Sequence, residues 1–104
     1  MSIKKELRRA VDSGKVLFGV RETEKSILND SAKLIIIAHN CPEREKNRII
    51  HLAKIARIPL VKMKENAYDI GELCGKPFSI AAMAIIDEGK SKILNAVNKD
   101  ETNA

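Results

Sequence analysis

The sequence predicts an α/β fold, a three-layer α-β-α sandwich around a four-stranded sheet. Two observations carry this. Leu34-Ile35-Ile36-Ile37-Ala38 and Ile80-Ala81-Ala82-Met83-Ala84-Ile85-Ile86 are apolar runs without polar alternation, as expected of strands covered on both faces. Around them, segments with apolar residues at helical spacing alternate with short apolar stretches, so helices are available to cover each face. Alternation alone favours an all-parallel sheet, and no local signal sets the direction of each strand.

The first helix carries Ile3, Leu7, Ala10 and Val11 on one face, with Ser2 as N-cap and Gly14 as its stop. Lys4, Lys5, Arg8 and Arg9 fall mainly on the outer, solvated face. Val16-Leu17-Phe18 is a short strand, followed by a helix with Ile27 and Leu28 that Asn29-Asp30-Ser31 ends through turn chemistry. Lys33 leads into the first buried strand. His39-Asn40-Cys41-Pro42 breaks that strand, and Pro42 suits the first position of a long helix with Ile49, Leu52, Ala53 and Ala56 inward. The stretch from Ile58 to Met63 is a short strand with Pro59 near its start, where a missing N–H does least harm. Asn66 and Asp69 form an N-cap pair for a helix through Ile70, Leu73 and Cys74 that Gly75 ends. Gly71 lies inside that helix at a propensity cost of about 1 kcal/mol, which points to close packing against a neighbour. Lys76-Pro77-Phe78-Ser79 is a loop before the second buried strand, and Asp87-Glu88-Gly89 turns the chain. Ser91 to Val97 can close the fold as a short helix. Residues 1–97 are expected to form one domain and 98–104 a polar, frayed tail.

Composition narrows the function. The 104 residues carry a net charge of +5 and a pI near 9.4, which favours an acidic partner, nucleic acid or an anionic surface. The 14 acidic residues make this a mixed-charge chain rather than a basic tail. Cys41 and Cys74 lack metal-site spacing and read as reduced thiols packed as small hydrophobes. Charges interrupt every N-terminal apolar run, and the longest pure run is too short for a bilayer. A soluble intracellular protein with no membrane partner is expected. Neither G-x-G-x-x-G nor G-x-x-x-x-G-K-[ST] occurs. His39 and His51 lack a partner at metal spacing, and Cys41 two residues from His39 makes no nucleophile–base geometry. Asp87-Glu88 reads as turn chemistry, and Glu43 and Glu45 as charge suited to a helix start. The expectation is therefore no enzyme, with no catalytic residue, no metal site and no cofactor.

One stretch does suggest binding. Gly19 joins the strand ending at Phe18 to the start of a helix, and a residue without Cβ lets another backbone approach closely. The helix turns unsatisfied N–H groups and partial positive charge toward the same place. Arg21 and Lys25, four apart, add two cations on one face, suited to phosphate, while Arg21, Glu22 and Thr23 can read polar base edges. An ordinary strand-to-helix turn with solvated charges fits these residues equally well. Aromatics are only 3% of the chain, too few for a sheet studded with stacking rings. Phe78 differs from Phe18 and Tyr68 because it sits in a loop rather than in a periodic apolar element. It is either a wedge against an extruded base or an anchor folded onto the core. If the last strand runs antiparallel to the first two, Gly19, Asn40 and the Gly75–Ser79 loop meet at one end of the sheet. Together they would form a composite surface for bent RNA rather than a groove for straight duplex.

Leu17-Phe18-Gly19-Val20-Arg21-Glu22-Thr23, then Ala32-Lys33-Leu34-Ile35-Ile36-Ile37-Ala38-His39-Asn40-Cys41-Pro42, then Leu73-Cys74-Gly75-Lys76-Pro77-Phe78, then Ala84-Ile85-Ile86-Asp87-Glu88-Gly89-Lys90-Ser91 follow one family's order and spacing. The chain resembles the archaeal and eukaryotic "L-thirty-e" family of large-subunit ribosomal proteins, within the kink-turn RNA-binding superfamily. The resemblance implies that the four-stranded sheet is mixed, which supplies the antiparallel strand. It implies a monomeric, non-enzymatic constituent of the cytoplasmic large ribosomal subunit that binds a ribosomal RNA kink-turn, where sheared G·A pairs adjoin a sharp bend. It carries the glycine to Gly19, the polar readers to Arg21, Glu22 and Thr23, and a backbone-contacting lysine to Lys25. It also carries a basic position to Lys33, a strand-end asparagine to Asn40, and the loop covering the extruded base to Gly75, Lys76, Pro77, Phe78, Ser79 and Ile80. The archaeal paralogue of RNA-guided modification particles typically has Asn-Glu at Arg21-Glu22, and a small aliphatic-acidic loop in place of Lys-Pro-Phe-Ser-Ile. Two alternatives stand beside this reading: a kink-turn adaptor of such a particle, and a small-molecule or anion-binding α/β domain.

Overall fold

The computed structural model describes residues 3–94. Its elements are α1 (Ile3–Ser13), β1 (Lys15–Phe18), α2 (Val20–Leu28), β2 (Leu34–Ile37), α3 (Glu43–Ala56), β3 (Leu60–Lys62), α4 (Ala67–Leu73) and β4 (Ala82–Asp87). The strand order is β1-β4-β2-β3. β4 runs antiparallel to both β1 and β2, whereas β2 and β3 are parallel. The sheet is therefore mixed, not all-parallel as simple alternation favours. The reason lies between β3 and β4. With seven residues, α4 is only about 10 Å long, and the chain turns at Gly75 without crossing back over the sheet. β4 consequently enters from the end at which β3 finished.

Every residue of β2 is buried, and its side chains divide between two cores. Leu34 and Ile36, with Met83 and Ile85 of β4, pack against Leu7 and Ala10 of α1 and Ile70 of α4. Ile35 and Ile37, with Ala82 and Ala84, pack against Ile27 of α2 and Ile49 and Ala53 of α3. This two-sided cover is why the strand sequences show no polar alternation.

Several boundaries have local causes. Pro42 is the N-cap of α3 rather than its first helical residue, and its carbonyl accepts from the Lys46 N–H at 2.8 Å. The Asn66 Oδ1 accepts from the Asp69 N–H at 2.8 Å, capping α4 as expected. β4 starts at Ala82, two residues after the expected start. The Ile80 N–H donates to the Ala67 carbonyl at 2.9 Å, so Ile80 is tied to α4 instead of the ladder. A Cβ on Gly71 would overlap the Phe78 carbonyl oxygen, which explains the glycine inside α4.

Glu6 was not distinguished by sequence pattern, yet it is 3% exposed. Its Oε1 accepts from the Lys92 N–H at 2.8 Å, tying the segment after β4 to α1. The chain is helical at Ile93 and Leu94. The remainder of the expected closing helix, and the tail, lie outside the described residues. No helix among the described residues is long and apolar enough to cross a membrane.

Cys41 and Cys74 are both buried free thiols. Burial pushes the Cys74 thiol from 9.0 up to about 11, against smaller opposing effects of Arg8 and Lys76. Between those values the folded state keeps a proton that the unfolded chain gives up, so stability falls as pH rises. Cys74→Ala should show a shallower decline in unfolding midpoint across this window than the parent. Equal slopes would remove Cys74 as a source of the alkaline sensitivity.

Candidate nucleic-acid interface

The direction of β4 brings the exits of β1 and β2 and the entrance of β4 to one end of the sheet. Gly19 leaves β1 with φ 103° and ψ 154°, and its N–H donates to the Ala82 carbonyl at 2.8 Å. That φ favours glycine, and a Cβ there would meet nothing within 4 Å, so the outer side of the turn is open to an incoming backbone. α2 has no side-chain cap, and its first helical bond runs from the Thr23 N–H to the Gly19 carbonyl at 3.0 Å. The N–H groups of Val20, Arg21 and Glu22 thus precede the helical ladder and carry its positive end. Arg21 is exposed beside them. Glu22 and Lys25 form a loose pair at 3.8 Å, both side chains reaching solvent.

Thr23 does not join this surface. Its side chain is fully buried, and Oγ1 donates to the Gly19 carbonyl at 2.7 Å. It secures the helix start and cannot read a base edge. Its position one turn after Gly19 was the available signal, because a threonine four residues on can bond back to a carbonyl.

The Gly75–Ser79 loop forms the other half. Gly75 has φ +73°, and a Cβ there would lie 2.9 Å from an Arg8 guanidinium nitrogen. Arg8 therefore lies against this loop and pairs with Asp12 at 3.1 Å, while staying exposed on the outer face as expected. Lys4, also exposed on that face, pairs with Glu65 at 2.7 Å. The Phe78 ring meets Phe18 edge-to-face, with centroids 6.1 Å apart and planes at 76°. Lys76 Nζ lies 5.3 Å from the Phe18 centroid, within cation–π range. Phe78 nevertheless remains 51% exposed, so the two sequence alternatives coexist: one edge anchors the loop and the rest of the ring faces out. Pro77 and Ser79 are exposed beside it. Ile80 is 1% exposed within the core, which makes it the loop's anchor and not a contact residue.

Asn40 and Lys33 divide. Asn40 is at the correct end, but its Oδ1 accepts from the Ala67 N–H at 2.7 Å, bracing α4 against the exit of β2. Lys33 precedes β2, and its N–H donates to the Ile85 carbonyl at 2.8 Å. The four residues of β2, roughly 13 Å of extended chain, separate it from the composite surface. The expected grouping of Lys33 with Gly19 and Phe78 is therefore incorrect. A lysine just before a strand and a glycine just after one occupy opposite ends whenever the strands are parallel.

Sequence pattern also passed over Arg44 and Arg48 as ordinary charges in the first turns of α3. Both line a cleft with Val20, Arg21, Glu24, Pro42, Glu45 and Ala81, between the starts of α2 and α3. Arg48 is paired to Glu24 at 3.2 Å. Arg21 and Arg44 thus flank the α2 start on one side, and Lys76 lies over Phe18 at the end of β1 on the other. No group of three His, Cys, Asp or Glu side chains among the described residues is arranged to hold a metal ion. The chemistry on offer is anion contact by cations and backbone N–H groups, carboxylate acceptance at Glu22, and an apolar ring face at Phe78.

Comparison with known proteins agrees in extent with this whole fold. The large ribosomal subunit protein eL30 of Methanocaldococcus jannaschii is 38% identical over 101 residues, covering 97% of this chain and 92% of the relative. That of Saccharolobus solfataricus is 39% identical over 99 residues, 95% of this chain and 92% of the relative. That of Pyrobaculum calidifontis is 38% identical over 97 residues, 93% and 96% of the two chains. The family pattern described as ribosomal protein L7Ae/L30e/S12e/Gadd45 matches residues 1–95. With the pattern spanning α1 to β4 and relatives above a third identical end to end, the chain belongs to the ribosomal protein L7Ae/L30e/S12e/Gadd45 family.

Proposed function

We propose that this protein is a non-enzymatic constituent of the large ribosomal subunit in the cytoplasmic ribosome, and that it binds a kink-turn of ribosomal RNA as a monomer. The relatives named large ribosomal subunit protein eL30 support the ribosomal part. The observation that carries the RNA part is the Phe18–Phe78 contact at 6.1 Å, which locks the uncapped start of α2 to a loop presenting an aromatic face. Phosphates approach at Gly19 and the N–H groups of α2, with Lys25 and Arg21 as counter-charges. The Glu22 carboxylate accepts from base amino groups at the bend, and Phe78 covers the base the bend extrudes.

A gel-shift series with a kink-turn hairpin, and with a version whose G·A pairs are replaced, tests this. The parent should shift the first far better than the second, and failure to shift either would sink the reading. Lys25→Ala should weaken binding to both RNAs and lower the salt slope by about 0.7–0.9 through loss of one phosphate contact. Lys33→Ala, at the far end of the sheet, should leave affinity and slope unchanged. Glu22→Ala should instead narrow the discrimination between the two RNAs, and equal losses on both would show that Glu22 reads nothing.

A further inference from the structure

Tyr68 is 69% exposed although sequence pattern grouped it with periodic apolar positions. The inward face of α4 is taken by Ala67, Ile70 and Gly71, which are buried, and Tyr68 lies off that face. Glu72 follows one turn later, so the ring and the carboxylate share a side of the helix. Both line a groove whose other wall is Lys76, Pro77, Phe78 and Ser79. Gly71 makes the groove possible, since its missing Cβ lets the Phe78 backbone close against α4. The groove therefore begins at the ring already placed in the proposed interface and ends at a second exposed aromatic.

We propose that this groove takes a second unstacked RNA base, adjacent to the one covered by Phe78. This inference rests on the kink-turn reading above. The base stacks on the Tyr68 ring, its Watson–Crick edge donates to the Glu72 carboxylate, and Lys76 meets the connecting phosphate. Every base offers a π-face, so stacking alone is sequence-tolerant. The carboxylate adds preference: guanine presents an imino and an amino donor together, whereas uracil flanks its one donor with two carbonyls. Continuity with the Phe78 surface, and the cation at Lys76, favour RNA over an apolar protein segment as the occupant.

The chain has one tyrosine and no tryptophan, so its intrinsic emission reports Tyr68 alone. A kink-turn hairpin with an unpaired guanosine next to the extruded nucleotide should quench that emission, after correction for RNA absorbance, at the concentrations that produce the gel shift. Deleting that guanosine should move the shift to about 5- to 150-fold higher concentration without abolishing it, and should remove the quenching in the complex that forms. Tyr68→Ala should lose about 5- to 150-fold in affinity for the first hairpin and little for the second, with Tyr68→Phe restoring it. A complete shift with unchanged emission, or equal losses on both hairpins, would overturn the second base site and leave kink-turn binding standing. Absence of any shift would overturn the kink-turn reading itself.

Discussion

Gly71→Ala is expected to destabilise the folded chain by about 1–3 kcal/mol, although the same change favours an isolated helix. Propensity alone would stabilise α4 by roughly 0.8–1.0 kcal/mol. The added Cβ, however, overlaps the Phe78 carbonyl oxygen, an atom of backbone that cannot rotate away as a flexible side chain would. The loop must lift or α4 must shift, and either movement disturbs the Ile80 N–H bond to the Ala67 carbonyl. The steric effect therefore outweighs propensity. Chemical denaturation gives the sign directly, and a raised midpoint would refute the packing account. Because the lifted segment carries Phe78, RNA affinity should fall as well, in a variant altered at a buried helical position.

Ile80→Ala and Phe78→Ala should separate the two jobs of one loop. Ile80 is fully buried, and truncating such a side chain costs about 2–5 kcal/mol through lost burial and the cavity left behind. Phe78 is half exposed, and its main packing is an edge contact with Phe18, worth about 0.5–1.5 kcal/mol. On RNA the order reverses. Phe78→Ala removes the stacking face, at roughly 1–3 kcal/mol per base, whereas Ile80→Ala should bind with closer to parental affinity where it remains folded. Parallel denaturation and gel-shift curves test the pair. If Ile80→Ala proves mild on stability while Phe78→Ala proves severe, the assignment of anchor and contact is inverted.

The layers were legible because burial on both sides leaves a compositional trace. Leu34 to Ile37 can be uniformly apolar only when both faces are covered, and they are. Gly71 was similarly readable, since a glycine inside a helix calls for a packing reason and the Phe78 backbone is that reason. Strand direction left no such trace. A buried strand has the same composition whichever way it runs, so the antiparallel β4 came from family resemblance and not from periodicity. Residues were misjudged where chemical type and exposure part company. Thr23 looked like a reader because it is polar, yet it closes the first turn of α2. Ile80 looked like the start of a strand because it is β-branched, yet its N–H is bonded to α4. Tyr68 was grouped with a periodic apolar element, and it faces solvent. For Thr23 the deciding partner was local and the signal was there to be read, whereas for Ile80 it was Ala67, on another element and outside any local window.

The place of β4 between β1 and β2 bears on the order in which a growing chain becomes competent. Among the described residues β1 pairs with no strand except β4, and some sixty residues separate Phe18 from its partner Met83. Until that last strand is synthesised, β1 and β2 have no common ladder, and the α2 start and the Phe78 loop have nothing to hold them together. Such long-range closure is slow compared with local helix formation. A nascent chain ending short of β4 would display helices and two parallel strands but not the assembled candidate surface. Under the proposed function, the topology makes RNA binding an outcome expected only once nearly the whole described polypeptide has emerged.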